Sequence, residues 1–321
     1  MTRLTRRGLL RTGGAGVLAL AAGKTVDNVA LGYGVVGGGT NLREQELGPL
    51  LSERRSLAGE VVTADATYGI DGGTLRVDRG TDSRAYSFEN GASDAPGDGE
   101  DRALFEDLRG LEDESTYEFH TLEGFLERLD GTTPRALATE ALRGGVSDPV
   151  EPSVVNRFAG VPPADSVGLL SGLKRGFREH GYYDVPRYVG GSVQDNVLRG
   201  AVDLRAPFEG PTDFETLIEE ERTGLFCGEM TVRAIEALHS VPATEQDPPL
   251  AAFWVRDRRH KHVYNGLASV VRDGPSLAVP VTFVDYTDST LADDLWVRSI
   301  AGEMLCAYDR RHRADEIGWG V

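Results

Sequence analysis

Three residues in the second half of the chain, Cys227, His262 and Asp285, have the side-chain types that thiol chemistry needs. A cysteine thiol with its ordinary pKa of about 8.5 is mostly protonated at neutral pH, so it becomes a nucleophile when a neighbouring imidazole takes its proton. A carboxylate can in turn fix the tautomer and the orientation of that imidazole. If the three side chains meet, they can attack an amide carbonyl, form a thioester and release it to water or to an amine.

The residues that follow Cys227 predict a helix over 227–238 that begins at the cysteine. Positions 227, 230, 231, 234, 235 and 238 are Cys, Met, Thr, Ala, Ile and Leu, which is the spacing of one buried helix face. The first turn of a helix favours a thiolate, because its backbone N–H groups and the positive end of the helix dipole lie there. The same N–H groups can stabilise an oxyanion, and Gln194 is an upstream amide that could add a side-chain donor. Taken alone, the pattern fits a buried structural cysteine equally well.

A β-hairpin over 261–285 is expected to bring His262 and Asp285 together. With the loop at residues 272–275, the pairing is symmetric about the junction of Asp273 and Gly274, so His262 lies directly opposite Asp285. Opposed residues have Cβ atoms about 4.5–5.5 Å apart, which allows an imidazole to reach a carboxylate. The rest of this face, residues 264, 266, 268 and 270 with their partners, is apolar or small. We therefore expect the helix over 227–238 to cover it and its residues Ile235 and Leu238 to be core residues.

Four short motifs within residues 165–305 resemble the transglutaminase-like cysteine enzymes. They are Gly224-Leu-Phe-Cys227-Gly-Glu-Met-Thr at a helix start, Val241-Pro242-Ala243 after that helix, His262-Val-Tyr-Asn265 on a strand and Val284-Asp285-Tyr-Thr287 at the end of the next strand. The order Cys, His, Asp with separations of 35 and 23 residues also fits that family. Two positions depart from it: the family often has an aromatic residue directly after the cysteine and a glycine two before it, whereas here Gly228 follows and Gly224 lies three before.

The resemblance implies an α+β fold with a papain/transglutaminase-like core, in which the nucleophilic cysteine at a helix N-terminus packs on an antiparallel sheet. It implies that Cys227 is the nucleophile, His262 its base and Asp285 the residue that orients the base. The expected substrate is a protein or peptide, cleaved by hydrolysis or joined to an amine by acyl transfer. No Cys/His cluster has the spacing of a zinc site, so neither a metal nor a cofactor is expected.

Other interpretations of the same residues stay open. A domain of this fold without catalysis would be a binding or structural module at the cell surface, although such a module has no physical need of all three side-chain types. A disulfide between Cys227 and Cys306, the two cysteines of the chain, would remove the nucleophile. His260 lies in the charged segment 256–261, where solvation is the simpler role. His239 follows the helix over 227–238 and is expected to interact with the C-terminal end of its dipole.

Residues 5–11, TRRGLLR, resemble the twin-arginine export signal and precede a short, weakly apolar run over 13–22. This run is shorter than the about 20 residues that a transmembrane helix needs, so no integral span is expected after signal removal. The resemblance implies export to the cell surface or the medium. The alternative is an ordinary basic N-terminus on a cytoplasmic protein.

The composition limits the classes of partner. With 34 Lys and Arg against 51 Asp and Glu, the formal net charge is −17. Nucleic acids and anionic membranes need clustered Lys and Arg, so neither is expected to bind. The many carboxylates and the scarcity of lysine, limited to Lys24, Lys174 and Lys261, resemble a halophilic protein. A GC-rich genome that favours arginine codons explains the scarcity of lysine equally well.

A chain of 321 residues predicts about two domains. We assign 1–32 to the signal and a Gly-rich segment, 33–150 to an N-terminal α/β region of unknown role, and 151–321 to the transglutaminase-like domain. Within the N-terminal region, 40–58 predicts a polar helix, 59–88 alternating strands and 89–101 an acidic loop. Residues 145–165 are expected to form a linker. Further helices are predicted over 166–180, 213–221 and 293–308.

Overall fold

A computed structural model gives the fold of most of the chain. It describes residues 42–89, 95–97, 99–113, 116–144, 150–184, 187, 210–220, 222–258, 262–274, 276–287 and 312–320. The predicted signal, residues 90–94 and 98 of the acidic loop, and the predicted helix over 293–308 lie outside these residues. So do Gln194, His260 and Cys306.

Within these ranges the chain forms eight α-helices and twelve strands. The helices are α1 (Gly48–Glu53), α2 (Glu100–Asp113), α3 (Leu122–Asp130), α4 (Ala136–Leu142), α5 (Pro152–Ala159), α6 (Ser166–His180), α7 (Phe214–Glu219) and α8 (Cys227–Leu238). The strands are β1 (Ala58–Val62), β2 (Thr67–Asp71), β3 (Thr74–Arg79), β4 (Asp82–Ser87), β5 (Thr116–Phe119), β6 (Gly181–Tyr183), β7 (Thr223–Leu225), β8 (Ala251–Asp257), β9 (His262–Ala268), β10 (Val271–Asp273), β11 (Ser276–Val284) and β12 (Glu316–Trp319).

Several helices begin where a side chain can satisfy their first N–H groups. Thr121, Asp165 and Asp213 accept hydrogen bonds from the backbone three residues later, at the starts of α3, α6 and α7. Helices α6 and α8 have the predicted bounds, whereas the polar helix predicted over 40–58 shortens to α1. In the part of the chain that the structure describes, no helix combines the length and the apolar character that crossing a bilayer requires.

The linker predicted over 145–165 is wrong, because α5 lies inside it. This helix begins at Pro152 and ends at Ala159, and the next residue, Gly160, has a left-handed φ of 67°. Proline is favoured in the first turn of a helix, and glycine is favoured just after the last turn. The composition shifts that suggested the linker, at 148–149 and 161–163, lie on either side of this helix in the sequence, and four side chains of the helix are buried.

Two larger sheets and a two-stranded sheet of β6 and β7 organise the described chain, and the α+β class is confirmed. Strands β1 to β4 form a four-stranded antiparallel meander, as the alternation over 59–88 predicted. The central sheet has six strands with the order β10-β11-β9-β8-β12, and β5 pairs with β11. Its neighbours run antiparallel except for β5, which is parallel to β11.

The hairpin register differs from the prediction by two residues. Val281 pairs with Ala268 and Phe283 with Gly266, so the residue opposite Tyr264 in this register is Asp285, and His262 is its diagonal neighbour. Asp273 pairs with Ser276, so two residues rather than four separate the paired strands, and Gly274 has a φ of 60°. A shift of two residues keeps each side chain on its predicted face, because the side-chain period of a strand is two.

The helix α8 covers the opposite face of the sheet from the one predicted. Its apolar side chains share a core with Leu267, Ala252 and Val284, whereas Tyr264 and Phe283 belong to a second core made with residues 42–142. The face of the sheet that α8 covers looked polar in the sequence, but its polar side chains Asn265 and Ser269 bond to backbone carbonyls. Asn265 Nδ2 donates to Thr231 O at 3.0 Å, and Ser269 Oγ donates to Pro249 O at 2.8 Å. Ile235 and Leu238 are fully buried, as predicted.

The sheet and its cores continue across the predicted domain boundary at 150. Strand β5 comes from the N-terminal range and extends the central sheet. Arg143, at the end of α4, is buried and donates to Leu250 O at 2.7 and 2.9 Å, to Val241 O at 2.7 Å and to Leu238 O at 3.4 Å. Burial lowers the pKa of Arg143 to about 10. The N-terminal residues therefore hold the C-terminal end of α8 in place.

Candidate active site

The nucleophile candidate Cys227 begins α8 and follows directly on a short strand. Strand β7 pairs in parallel with β6, which fixes the chain up to Leu225. The Phe226 N–H donates to Glu229 Oε2 at 2.8 Å, and the Met230 N–H donates to Phe226 O at 3.0 Å, so the helix starts at this point. Cys227 is half-buried and carries a free thiol. The first-turn N–H groups and the positive end of the helix dipole therefore lie beside the sulfur.

Asp285 lies where β11 ends, and its carboxylate is fully buried. The His262 and His312 Nε2 atoms lie 2.6 and 3.0 Å from its Oδ2, and the Thr287 N–H donates to its Oδ1 at 2.9 Å. Burial would raise the pKa of Asp285, but the charge of His262 and the hydrogen bonds from both histidines hold it well below its usual range. The group is therefore a carboxylate with fixed orientation.

His262, at the start of β9, connects this carboxylate to the thiol. A carboxylate only accepts hydrogen bonds, so the His262 Nε2 atom donates to Asp285, and Nδ1 is the ring nitrogen on the other side. The imidazole also interacts with the Cys227 side chain. Burial would lower the pKa of His262, but the charge and hydrogen bond of Asp285, together with the interaction with Cys227, raise it well above its ordinary value. The imidazole therefore lies between the sulfur and the buried carboxylate.

His312 is part of this cluster and was not found from the sequence. It lies just before β12, between charged residues, and is nearly fully buried. Its ring meets that of Tyr264 edge-on, with centroids 5.0 Å apart, and is 5.8 Å from the ring of His262. No spacing rule links position 312 to 262 or 285, because the antiparallel pairing of β12 with β8 brings it there.

The residues that precede Cys227 form an aromatic and charged wall beside it. The ring of Phe226 lies 6.1 Å from that of Tyr183. The Arg187 guanidinium lies over the Phe226 ring, 4.4 Å from its centroid. Arg187 also forms an ion pair with Glu229 at 2.8 Å. A Cβ placed on Gly228, on the other side of the cysteine, meets no described atom within 4 Å. Tyr183 is half-buried beside the site and packs against the core that contains α8.

His262, Asp285 and His312 are also a group that could hold a metal ion, since one ligand atom from each lies within 4.8 Å of the others. Imidazole and carboxylate are the ligands that zinc and similar ions use. The 2.6 and 3.0 Å separations are those of charge-assisted hydrogen bonds. A common ion at about 2.0–2.2 Å from each ligand would replace both Nε2 protons. The absence of a metal stays a prediction.

His239 lies at the other end of α8 and differs from its predicted role. It is the residue at the helix C-cap, but its ring is buried and its Nε2 accepts a hydrogen bond from the Ala252 N–H at 2.8 Å. Burial, with a smaller contribution from the charge of Arg143, lowers the pKa of His239 well below its ordinary value. A neutral imidazole does not offer the positive charge that a helix dipole attracts at this end.

Comparison of the chain with protein-family models, with curated proteins and with solved structures gives no match in any of the three. The resemblance to the transglutaminase-like enzymes therefore rests on the motifs around Cys227, His262 and Asp285.

Proposed function

We propose that this protein is an exported thiol enzyme of the transglutaminase-like type, which attacks amide bonds of protein or peptide substrates through Cys227, His262 and Asp285. The observation that carries the proposal is the position of His262, which lies 2.6 Å from the buried Asp285 carboxylate and interacts with the Cys227 side chain. A structural cysteine has no need of a histidine that a carboxylate holds in one tautomer.

In the proposed reaction His262 takes the proton of the Cys227 thiol, and the thiolate attacks the carbonyl carbon of the substrate amide. Asp285 stabilises the imidazolium that forms. Backbone N–H groups in the first turn of α8 stabilise the oxyanion. When the carbon–nitrogen bond breaks, His262 returns the proton to the leaving amine, and a thioester remains on Cys227. Water then gives hydrolysis, or a second amine gives acyl transfer.

The test is the rate at which iodoacetamide alkylates Cys227 between pH 5 and 9, followed on the tryptic peptide of residues 223–233 so that Cys306 does not interfere. A thiolate held by His262 reacts at pH 5 to 6. In His262→Ala no base takes the proton of the thiol, so the alkylation rate should fall about tenfold per pH unit on the acid side. The Cys227→Ala variant is the control for both measurements, because its peptide cannot be alkylated at position 227 and it should show no turnover.

Equal alkylation profiles in wild type and His262→Ala would overturn the enzyme proposal and favour the non-catalytic binding or structural module. A Cys227 that reacts only after reduction would favour the Cys227–Cys306 disulfide. The same alkylation measurement in the presence of a chelator tests for a bound metal. Faster alkylation of Cys227 after chelation would mean that an ion had occupied His262.

Export is the second part of the proposal and rests on Arg6 and Arg7. Arg6→Lys with Arg7→Lys is expected to leave the folded protein in the cytoplasm, because the signal is read as an arginine pair. Equal amounts of both proteins in the exported fraction would overturn the twin-arginine interpretation without bearing on Cys227.

A further inference from the structure

We infer that His312 is a positioning residue of this site, which holds the Asp285 carboxylate in the orientation that His262 requires. The inference rests on the proposed function, since a positioning role has meaning only if His262 acts on Cys227. It goes beyond the three residues of the proposed reaction.

The first argument is geometric. The Asp285 carboxylate is fully buried and follows the last residue of β11, so its orientation depends on its own hydrogen bonds. The Thr287 N–H holds Oδ1, and the His312 Nε2 atom lies 3.0 Å from the same Oδ2 that His262 approaches. With these two donors, rotation of the carboxylate away from His262 would break two hydrogen bonds. His312 therefore acts on His262 through Asp285.

The second argument is that His312 is itself held from both sides. The Leu42 N–H donates to His312 O at 2.8 Å, and the Tyr264 hydroxyl donates to Arg313 O at 2.8 Å. Ala314, two residues after His312, is held as well: Gln45 Nε2 donates to Ala314 O at 2.8 Å, and the Ala314 N–H donates to Gln45 Oε1 at 2.9 Å. The ring also packs edge-on against Tyr264. A side chain so constrained can fix the position of its partner.

The third argument concerns charge. A buried carboxylate without donors would take up a proton, and a neutral Asp285 could not stabilise an imidazolium. Histidine is suited to this place because its neutral form can donate from Nε2 with no added charge. Among the described residues, the groups that bond to the carboxylate are His262 on β9, Thr287 after β11 and His312 before β12. Cys227 on α8 reaches it through His262.

The test compares two variants that differ in the donor. His312→Phe keeps a planar ring against Tyr264 but has no N–H, whereas His312→Gln places an amide N–H near the Nε2 position. We expect His312→Phe to slow alkylation of Cys227 at pH 6 about tenfold, because a carboxylate that lacks this donor holds His262 less firmly, and His312→Gln to stay within about threefold of wild type. Circular dichroism and the unfolding midpoint confirm that each variant is folded.

Two results would overturn the inference. Wild-type rates in a folded His312→Phe would show that the donor is not needed. Equal slowing in the Phe and Gln variants would show that His312 acts by packing. His312→Leu provides a second variant without a donor if His312→Phe does not fold. Failure of the proposed function is distinguishable, because it removes the effect of His262→Ala as well, whereas failure of this inference leaves that effect intact.

Discussion

The two ends of α8 each place a histidine in a buried environment, and the two histidines have opposite properties. At the N-terminal end His262 contacts Cys227 and the Asp285 carboxylate, and its pKa is raised. At the C-terminal end His239 accepts a backbone hydrogen bond beside the Arg143 guanidinium, and its pKa is lowered. Burial disfavours the charged form of both rings, so the sign of the neighbouring charge decides the outcome.

The comparison separates the chemistry of the site from the stability of the fold. The His262 end combines a half-buried thiol, a fixed carboxylate and an open space beside Gly228. The His239 end contains a buried arginine whose donors bond to backbone carbonyls after α8. Variants at the first end should change reactivity with little loss of stability, and variants at the second end should do the reverse.

The largest expected effect belongs to Asp285→Asn. The amide keeps the shape of the carboxylate but lacks its charge, and it can present an N–H toward His262, which sets the wrong tautomer. Turnover of an amide substrate is expected to fall on the order of 100-fold or more, and joint removal of His262 should add far less than its own separate effect. Kinetics of the single and double variants measure this.

The matched control for Asp285→Asn is His239→Gln, at the opposite end of the same helix. It removes a buried ring at a helix end that has no part in the proposed reaction, so it should cost stability yet leave turnover within about twofold once the folded fraction is matched. A loss of turnover as large as that of Asp285→Asn would contradict the separation of the two ends.

A second comparison concerns unfolding free energy at the two ends of α8. Leu238→Ala removes a fully buried side chain and is expected to cost about 2–5 kcal/mol. Gly228→Ala adds a methyl group that meets no described atom, and alanine is favoured over glycine in a helix, so stability should be unchanged or rise by up to about 1 kcal/mol. Denaturant unfolding of both variants checks this. A Leu238→Ala loss below about 0.5 kcal/mol would mean that this face of α8 is not core.

The sequence predicted elements whose signals are local. The bounds of α6 and α8 follow from apolar periodicity together with caps, and the meander β1 to β4 follows from alternation. The prediction of which face of the central sheet α8 covers was wrong, because Asn265 and Ser269 made the covered face look polar in the sequence. Both are buried with their hydrogen bonds made to distant carbonyls. Burial of a polar side chain depends on partners that local pattern does not reveal.

The site shows the same limit. Cys227, His262 and Asp285 were brought together correctly even though the register was wrong by two residues, because an even shift keeps the strand faces and a histidine reaches a diagonal neighbour. Position 312 could not be found in this way. It reaches Asp285 because β12 returns to the far edge of the sheet beside β8, and a run of arginines around it gave no periodic signal.

The smallest expected effect is on the pH dependence of unfolding, and it has opposite signs at the two ends of α8. A histidine whose folded pKa is raised stabilises the fold below its unfolded pKa of about 6.5 and loses that contribution as the pH rises through the folded value. A histidine whose folded pKa is lowered contributes above about 6.5 and loses it as the pH falls. The difference in unfolding free energy between wild type and His262→Gln should therefore shrink above about pH 6.5.

The difference in unfolding free energy between wild type and His239→Gln should shrink below about pH 6.5, because the His239 ring gains a proton there when the chain unfolds. Neither slope can exceed about 1.4 kcal/mol per pH unit, the limit for one proton. Denaturant unfolding of the three proteins from pH 5 to 8.5 measures both. Slopes of the same sign would mean that Asp285 does not outweigh burial at His262, since burial alone acts on the two rings in the same direction.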